Sequence, residues 1–598
     1  MRKRILAFFL TVIMVVSSFA GCSEAGTGGG NDVIEAKTYP MRIQFSSAKA
    51  PEEKEITLYF MNGGDVPYVA MSEYMPFVGS MYGDDEQGLP AVEYEFSNPV
   101  KDHTMIARKD NGSFMDINAA ADTIEFLGMD YFIAMPDNSL LMGVISISEN
   151  GRGGYSNLFE DYGASYERNG DALLLFDLSE YDIDLIEKDG ECYVPLQTVN
   201  DLLVSQNYVY VIFNGIEVLA SAYSAPLLDE MYNAPTGEMS EGFANYNYNE
   251  LRFMLDTFYG LKPEHGISDF GDFFSSTGLL GDLAGTDPVA FDRAVRVLTT
   301  KYFDDKHSGM SKYSFYSGDI KAEKDNEDEL ISVLDSLGQS SDAMVWDSMR
   351  IKGARAEYYP DHPNLDPLGV ETEDPWFYEE VGDTAIVTFD VFDLKRRDYY
   401  KEADLENPQD TVELISYAQS RITREDSPIK NVVVDLSCNG GGAADAAVFV
   451  MAWLKANGDA VVALKNTLTG AQSIGHYGAD INLDGTVDFD DALPVEINRY
   501  ILTSDLSFSC GNLVPAALKG EPNITLIGKR SGGGSCVVRP CSTASGTIFT
   551  ISGPVQISCV RNGSLYNADQ GVEPDFVISK LENYYDREKL VEFIHQLP

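Results

Sequence analysis

Basic residues are scarce in this 598-residue chain: 43 lysines and arginines face 94 aspartates and glutamates, a formal net charge of −51. A field of that sign repels phosphates and anionic lipid headgroups, which disfavours nucleic acid, and none is expected as a partner. Cysteine is scarce too. Beyond residue 22 only six occur, Cys192, Cys438, Cys510, Cys536, Cys541 and Cys559. They are too few for a disulfide scaffold, and none forms the C-x-x-C pair of a zinc site. Cys536 and Cys541 are spaced either to close a small loop or to stay as buried thiols. Histidine is confined to positions 103, 265, 307, 362, 476 and 595, so imidazole chemistry has few candidates. After residue 22 no run reaches the ~18 apolar residues that span a bilayer. Low-complexity tracts are missing as well, and 44% hydrophobic content is ordinary for globular domains. The length allows about two to four of them.

At the N-terminus Arg2, Lys3 and Arg4 precede the apolar run ILAFFLTVIMVVSSFA, the pattern of a targeting segment. The run ends at Phe19-Ala20-Gly21-Cys22, which resembles the bacterial lipoprotein signal, with Phe19 where a leucine-like residue is usual. The resemblance implies that 1–22 is a signal segment lipidated at Cys22. Residues 23–32, SEAGTGGGND, then form a flexible glycine-rich linker. The expected location is the extracellular face of the cell membrane, reached through that anchor.

Residues 33–226 alternate polar and apolar in short runs between Gly, Asn and Asp turns, which reads as a separate β-rich domain. Two pieces within it are alike, Asp65–Val78 and Gly190–Val204, each a Tyr-Val strand end leading into a short amphipathic helix. The second resembles the N-terminal stalk-like domain of copper amine oxidases. That likeness implies a spacer or recognition module and no copper, since no histidine cluster accompanies it. Residues 228–312 turn helical: Leu251, Met254, Leu255 and Phe258 share one face, as do Phe291, Val295, Leu298 and Tyr302. The second helix ends in an acidic turn carrying His307. Segment 313–375 is polar and mixed, with no firm structure expected. From 376 to 598 strands and helices alternate, and KNVVVDLS has the continuous apolar run of a strand covered on both faces.

Two stretches in this last part carry chemistry. In VVVDLSCNGGGAADAAVFV a buried strand runs into Asn439-Gly440-Gly441-Gly442 and then a helix. Bare backbone N–H groups at a helix start favour negative charge, and glycine lets a reacting group approach them, so the loop reads as an oxyanion hole or a flexible turn. It is no phosphate-binding loop, because no Gly-Lys-Ser/Thr follows. In LTSDLSFSCGNLVPAALKG another strand bends at Ser509 and Cys510 into a helix. Ser509 is there either a cap or a nucleophile.

The order of these pieces resembles the S41 peptidases, which include the C-terminal processing proteases and the tricorn protease core. The matching pieces are DLSCNGGG, FSCGN, GKRSGGG and GVEPD (Gly571 to Asp575). The resemblance implies Ser509 as nucleophile, with the N–H groups of Cys510 and of Gly440 or Gly441 holding the oxyanion. Asn512 stands where the family usually has a glutamate. C-terminal processing proteases use a Ser-Lys dyad, but Gly534 occupies the lysine position and Lys529 lies five residues earlier. The tricorn-like branch uses a histidine in an L-x-D-x-H-[ST] motif, matched by YFDDKHSGM with His307. A serine hydroxyl needs such a base to become nucleophilic. The branch's third member is a carboxylate shortly before G-V-x-P-D, which Asp569 supplies at a spacing different by one, with Glu573 and Asp575 as alternatives.

An insertion, DINLDGTVDFDD, matches an EF-hand-type calcium loop. Asp480, Asn482 and Asp484 would bind through side chains, Thr486 through its carbonyl, and Asp488 and Asp491 would complete the set, with Gly485 at the turn. Aspartate at the last position resembles the dockerin form. Calcium would brace the loop 480–491 structurally, and catalysis needs no cofactor.

The expected fold is therefore α/β: a crotonase- or ClpP-like S41 core, a preceding helical segment and the β-rich N-terminal domain. The expected activity is a membrane-anchored extracellular serine endopeptidase acting on peptides through Ser509, His307 and Asp569. The alternative is a catalytically inactive surface protein of the same fold that binds peptide or glycan. An esterase would use the same serine, and the missing G-x-S-x-G elbow argues against an α/β-hydrolase.

Overall fold

Runs of β-branched residues build the central sheet of the C-terminal half. Thr384–Phe389, Asn431–Asp435, Asn498–Thr503 and Ile524–Gly528 lie parallel. Trp376–Val381 pairs antiparallel at one edge, and the short Phe576–Val577 closes the other. Val432 and Val434 pack on the helices Thr411–Ile422, Ala444–Leu454 and Cys510–Leu518. Val433 faces the opposite side, toward Ile351, Tyr584 and Leu590. Burial on both faces is what the unbroken valine run requires.

The computed structural model describes residues 33–45, 49–82, 91–97, 105–134, 145, 158–222, 225–234, 236–303, 305–318, 342–359, 376–395, 400, 403, 405–561 and 564–598. The signal segment, Cys22 and the linker lie outside the described residues. Among the described residues no helix is long and apolar enough to cross a membrane.

The N-terminal region holds a seven-stranded and a five-stranded sheet. The two similar sequence units are neighbours in the larger one. Tyr68–Ala70 leads into the helix Met71–Ser80, and Glu191–Pro195 into the helix Leu196–Leu203. Their strands pair antiparallel, with Val69 opposite Val194. One further strand of this region, Phe159–Arg168, pairs instead with Gln472–Ala479 of the C-terminal half.

In the helical segment, Ser240 caps Glu241–Phe258 by accepting the Phe243 N–H, and Leu251, Met254, Leu255 and Phe258 are all buried. Asp287 caps Pro288–Val297, which buries Phe291 and Val295 and then widens into a π-helical turn at Leu298–Phe303. Such turns concentrate at functional sites. Past it, Gly309–Lys312 pairs with Ile548–Arg561, so His307 is held between the helical segment and a sheet of the C-terminal half. Within 313–375 the chain forms an unanticipated helix, Asp342–Tyr358. It places Ile351 and Arg355 in the interior, and a buried arginine on the inner face hides the amphipathic pattern.

Candidate active site

Ser509 precedes the first turn of Cys510–Leu518 with φ 53° and ψ −121°. The Gly511 N–H donates to the Phe508 carbonyl at 2.8 Å, so Phe508–Gly511 is a type II′ turn with serine where glycine is usual. Holding a serine there costs about 1–3 kcal/mol. Its side chain makes no capping bond to the helix. The residue is half-buried, and its hydroxyl is not occupied as a cap.

The glycine loop lies directly against it. Gly441 has φ +113°, and a β-carbon there would come within 2.6 Å of the Ser509 Cβ and 3.1 Å of its Oγ. Gly440 donates its N–H to the Asp390 carbonyl at 3.0 Å, and Gly441 donates to Asn439 Oδ1 at 2.9 Å. Among the described residues the N–H groups of Gly442 and Cys510 meet no protein acceptor. Of the three amides expected in the oxyanion hole, Cys510 is the one left open among the described residues, and the next glycine along, Gly442, also has an open N–H. The Cys510 thiol donates to the Gly442 carbonyl at 3.2 Å. Burial pushes it up to about 12, against a smaller opposing contribution from a hydrogen bond with Ser509, so it is no thiolate near neutrality.

His307 is buried, 8% exposed, and its ring rests on Phe508 with centroids 4.6 Å apart. Asp305 builds the turn that carries it, accepting the N–H groups of His307 at 3.2 Å and Ser308 at 2.7 Å. The Tyr259 hydroxyl anchors Asp305 at 3.0 Å, and Thr550 Oγ1 donates to the His307 carbonyl at 2.7 Å. Burial lowers the His307 pKa below 6.5, opposed by the charges of Asp305 and Asp569. Among the described residues its buried Nδ1 meets no hydrogen-bond partner. Asp569 lies near enough to act on this ring electrostatically, but its Oδ1 accepts the Ser535 N–H at 3.0 Å. Burial raises its pKa. Asp575 accepts the Leu526 N–H at 2.9 Å and serves the sheet edge.

Residues 401–578 match the family model described as Peptidase family S41. The chain carries an S41 peptidase domain. Its catalytic class is that of a serine-type peptidase. Among curated proteins, none matches the chain. Among solved structures, mature CPAF complexed with lactacystin is 11% identical over 60% of this chain and 97% of its own, with a TM-score of 0.34. A protein of Parabacteroides merdae is 15% identical over 59% and 96%, with a TM-score of 0.37. A photosystem II D1 C-terminal processing protease is 17% identical over 33% of this chain, which spans only 42% of that protein, with a TM-score of 0.24.

The S41 domain match includes Ser509, the glycine loop and Asp569, whereas His307 lies before it. Asn512, in place of the family's glutamate, ties loops together inside the domain. Its amide donates to the Ala568 carbonyl at 2.9 Å, and its oxygen accepts the Ser531 hydroxyl at 2.7 Å. At Gly534 a β-carbon would strike the Phe508 ring at 2.4 Å, so no lysine fits there. Lys529 sits at the end of Ile524–Gly528, its N–H bonded to the Thr503 carbonyl. All six described cysteines are buried free thiols.

In the 480–491 loop, Asp480 accepts the N–H groups of Asp484 and Gly485. Asn482 and Asp484 accept from Asp484 and Thr486, Asp488 from Asp490, and Asp491 from Ile481, Asn482 and Asp488. Burial together with Asp491 and Asp484 pushes Asp480 up to about 6. Among the described residues no group of three or more His, Cys, Asp or Glu side chains is disposed to hold a metal.

Sequence reasoning missed Asp305 although it stands two residues before His307. It also missed Asp390, whose carbonyl holds Gly440 while its carboxylate takes both terminal nitrogens of buried Arg355 at 2.7 and 2.5 Å. No local pattern marks that pair.

Proposed function

We propose that this protein is a serine endopeptidase working outside the cytoplasmic membrane, anchored through lipid at Cys22. The observation that carries the mechanism is Ser509 on its II′ turn, uncapped, beside the open N–H of Cys510. His307 takes the Ser509 proton as Oγ attacks a peptide carbonyl. The developing oxyanion is held by the N–H groups of Cys510 and Gly442, each such donor being worth roughly 100- to 1,000-fold in rate. Collapse expels the amine, protonated by His307, and water then hydrolyses the acyl-enzyme with His307 again as base.

No hydrogen bond joins His307 to Ser509 among the described residues, and catalytic bonds in unliganded sites commonly tighten only with substrate. Nδ1 of His307 is the atom that a carboxylate would orient, and Asp569 is the acid assigned to it. The 480–491 loop is assigned a structural calcium ion. The oxygens of Asp480, Asp484 and Asp488 each keep a lone pair beyond those given to the loop's backbone, whereas Asp491 Oδ1 gives both of its own to Ile481 and Asn482 and leaves Oδ2 for a cation. A cation relieves the crowding felt by Asp480.

The test is labelling with a fluorophosphonate. The full chain is expected to be modified once, at Ser509, and the Ser509→Ala variant not at all. A wild-type protein that stays unlabelled, or a variant labelled equally, would leave only the inactive peptide- or glycan-binding reading.

A further inference from the structure

The cavity at Ser509 has a volume of about 540 Å³, within the range of a ligand-binding cleft. Leu513, Val538, Val555 and Ile557 give it apolar sides. Part of its lining comes from outside the S41 domain: Gln206, Asn207 and Tyr208 follow the N-terminal helix Leu196–Leu203 and reach the same cavity as Ser509.

That contact is built firmly. The strand Cys536–Ser542 pairs on one side with Ile548–Arg561, and the N-terminal region covers it at several points. Gln197 donates to the Ser542 carbonyl at 2.8 Å. Buried Arg539 donates to the Asp201 carbonyl at 2.6 Å and to the Ser205 hydroxyl at 2.9 Å, with its guanidinium 3.7 Å from the Phe258 ring centre. Within the cavity lining, the Tyr208 hydroxyl donates to the Val538 carbonyl at 2.8 Å. Tyr208 has φ +60°, a genuine outlier for a bulky residue, and the residue stays 44% exposed where it lines the cavity. A strained, exposed aromatic fixed to a backbone carbonyl is a contact surface for a bound chain rather than core.

We propose that Tyr208 determines specificity. Its ring bounds the apolar cavity beside Ser509, and its hydroxyl occupies a carbonyl that an extended peptide would otherwise use. The preferred substrate then places an apolar side chain of limited size in the cavity. The inference rests on the serine-peptidase reading for its location, and its test does not depend on turnover.

In the full chain carrying Ser509→Ala, binding of a peptide panel is measured in which one position runs from Ala through Val and Leu to Phe and Asp. Tyr208→Gly is the informative variant, because glycine accepts the left-handed backbone while removing the ring. With Tyr208 present, small apolar residues are expected to bind at least 10-fold better than Phe or Asp. Tyr208→Gly is expected to erase the discrimination against Phe and keep that against Asp. Tyr208→Phe, which keeps the ring, is expected to preserve the side-chain ranking. Tyr208→Asn, which tolerates the left-handed backbone without the ring, is expected to lose the discrimination against Phe and serves if the glycine variant does not fold. An unchanged ranking in folded Tyr208→Gly, a ranking altered by Tyr208→Phe alone, or no binding by any peptide overturns the proposal. Fluorophosphonate labelling of the chain with Ser509 intact reports separately on the peptidase reading.

Discussion

The His307 ring meets the Phe508 ring at 4.6 Å between centroids and 56° between planes, one residue before the strained turn at Ser509. The base assigned to Ser509 is thus located by packing, with the Lys306 ammonium 5.2 Å from the same Phe508 ring centre. Lys306 also donates to the Asp505 carbonyl at 2.8 Å. Replacing His307 with glutamine should lower kcat/KM by about 100- to 10,000-fold while leaving the thermal transition near its original place. The check is peptide hydrolysis alongside calorimetry, and retained activity would remove His307 as base.

Adjacent glycines should respond very differently to alanine. Gly441 combines φ +113° with a β-carbon 2.6 Å from the Ser509 Cβ, so Gly441→Ala displaces Ser509. Activity should fall on the order of 100-fold, with a stability loss of about 1–3 kcal/mol. At Gly440 a β-carbon meets nothing within 4 Å, and Gly440→Ala should stay within about 0.5 kcal/mol. Denaturant titrations of the two variants, read beside their turnover, decide it.

Two pH effects follow with opposite sense. Burial lowers the His307 pKa below 6.5, so the imidazole remains a free base into mildly acidic solution. The acid limb of kcat/KM should have its midpoint under 6.5. Folding stability should run the other way. Burial pushes Asp292 up to about 7 and Asp480 up to about 6, from 3.8. The folded state holds these protons where the unfolded chain has released them. The resulting stabilisation is complete below pH 3.8 and is lost as pH rises through 6 and 7. In the window between, other things equal, the melting temperature should rise on acidification from pH 7.5 to pH 5. A series of melting curves measures this directly, with Asp292→Asn expected to flatten the slope.

Calcium should raise the melting temperature through the Asp480–Asp491 loop. At a concentration near 100 times Kd the linkage stabilisation is about 2.7 kcal/mol. Magnesium, which demands stricter octahedral geometry, should do less. Asp484→Ala should abolish the calcium effect. Melting curves that are the same with calcium and with chelator would show the loop to be closed by its backbone bonds alone.

The parts legible in sequence were those governed by local order. Leu251, Met254, Leu255 and Phe258 announce their helix face, and the motif sequence around Ser509 identifies the domain. What stayed hidden depends on contacts between distant segments. Asp390 takes the Gly440 amide by folding back from another strand, so the glycine string alone could not say which amides remain open. Arg355 enters the interior because Asp390 neutralises it there, against the usual exposure of arginine. Tyr208 reaches the cavity at Ser509 only because the N-terminal helix docks on Cys536–Ser542. Each of these is a property of assembled tertiary structure rather than of any window of residues.

The strand Phe159–Arg168 waits a long time for its partner. Ser165 and Ile474, bonded across that ladder, are 309 residues apart in the chain. As an extended chain emerges from its N-terminus, this strand must remain unpaired until most of the protein has followed it. Non-local pairing of this kind slows folding, and an exposed strand edge in the meantime invites association with other chains. Removing the N-terminal region from a recombinant protein would uncover Gln472–Ala479 in turn. A truncated catalytic half should therefore accumulate as aggregate, and refolding of the whole chain should succeed best at high dilution.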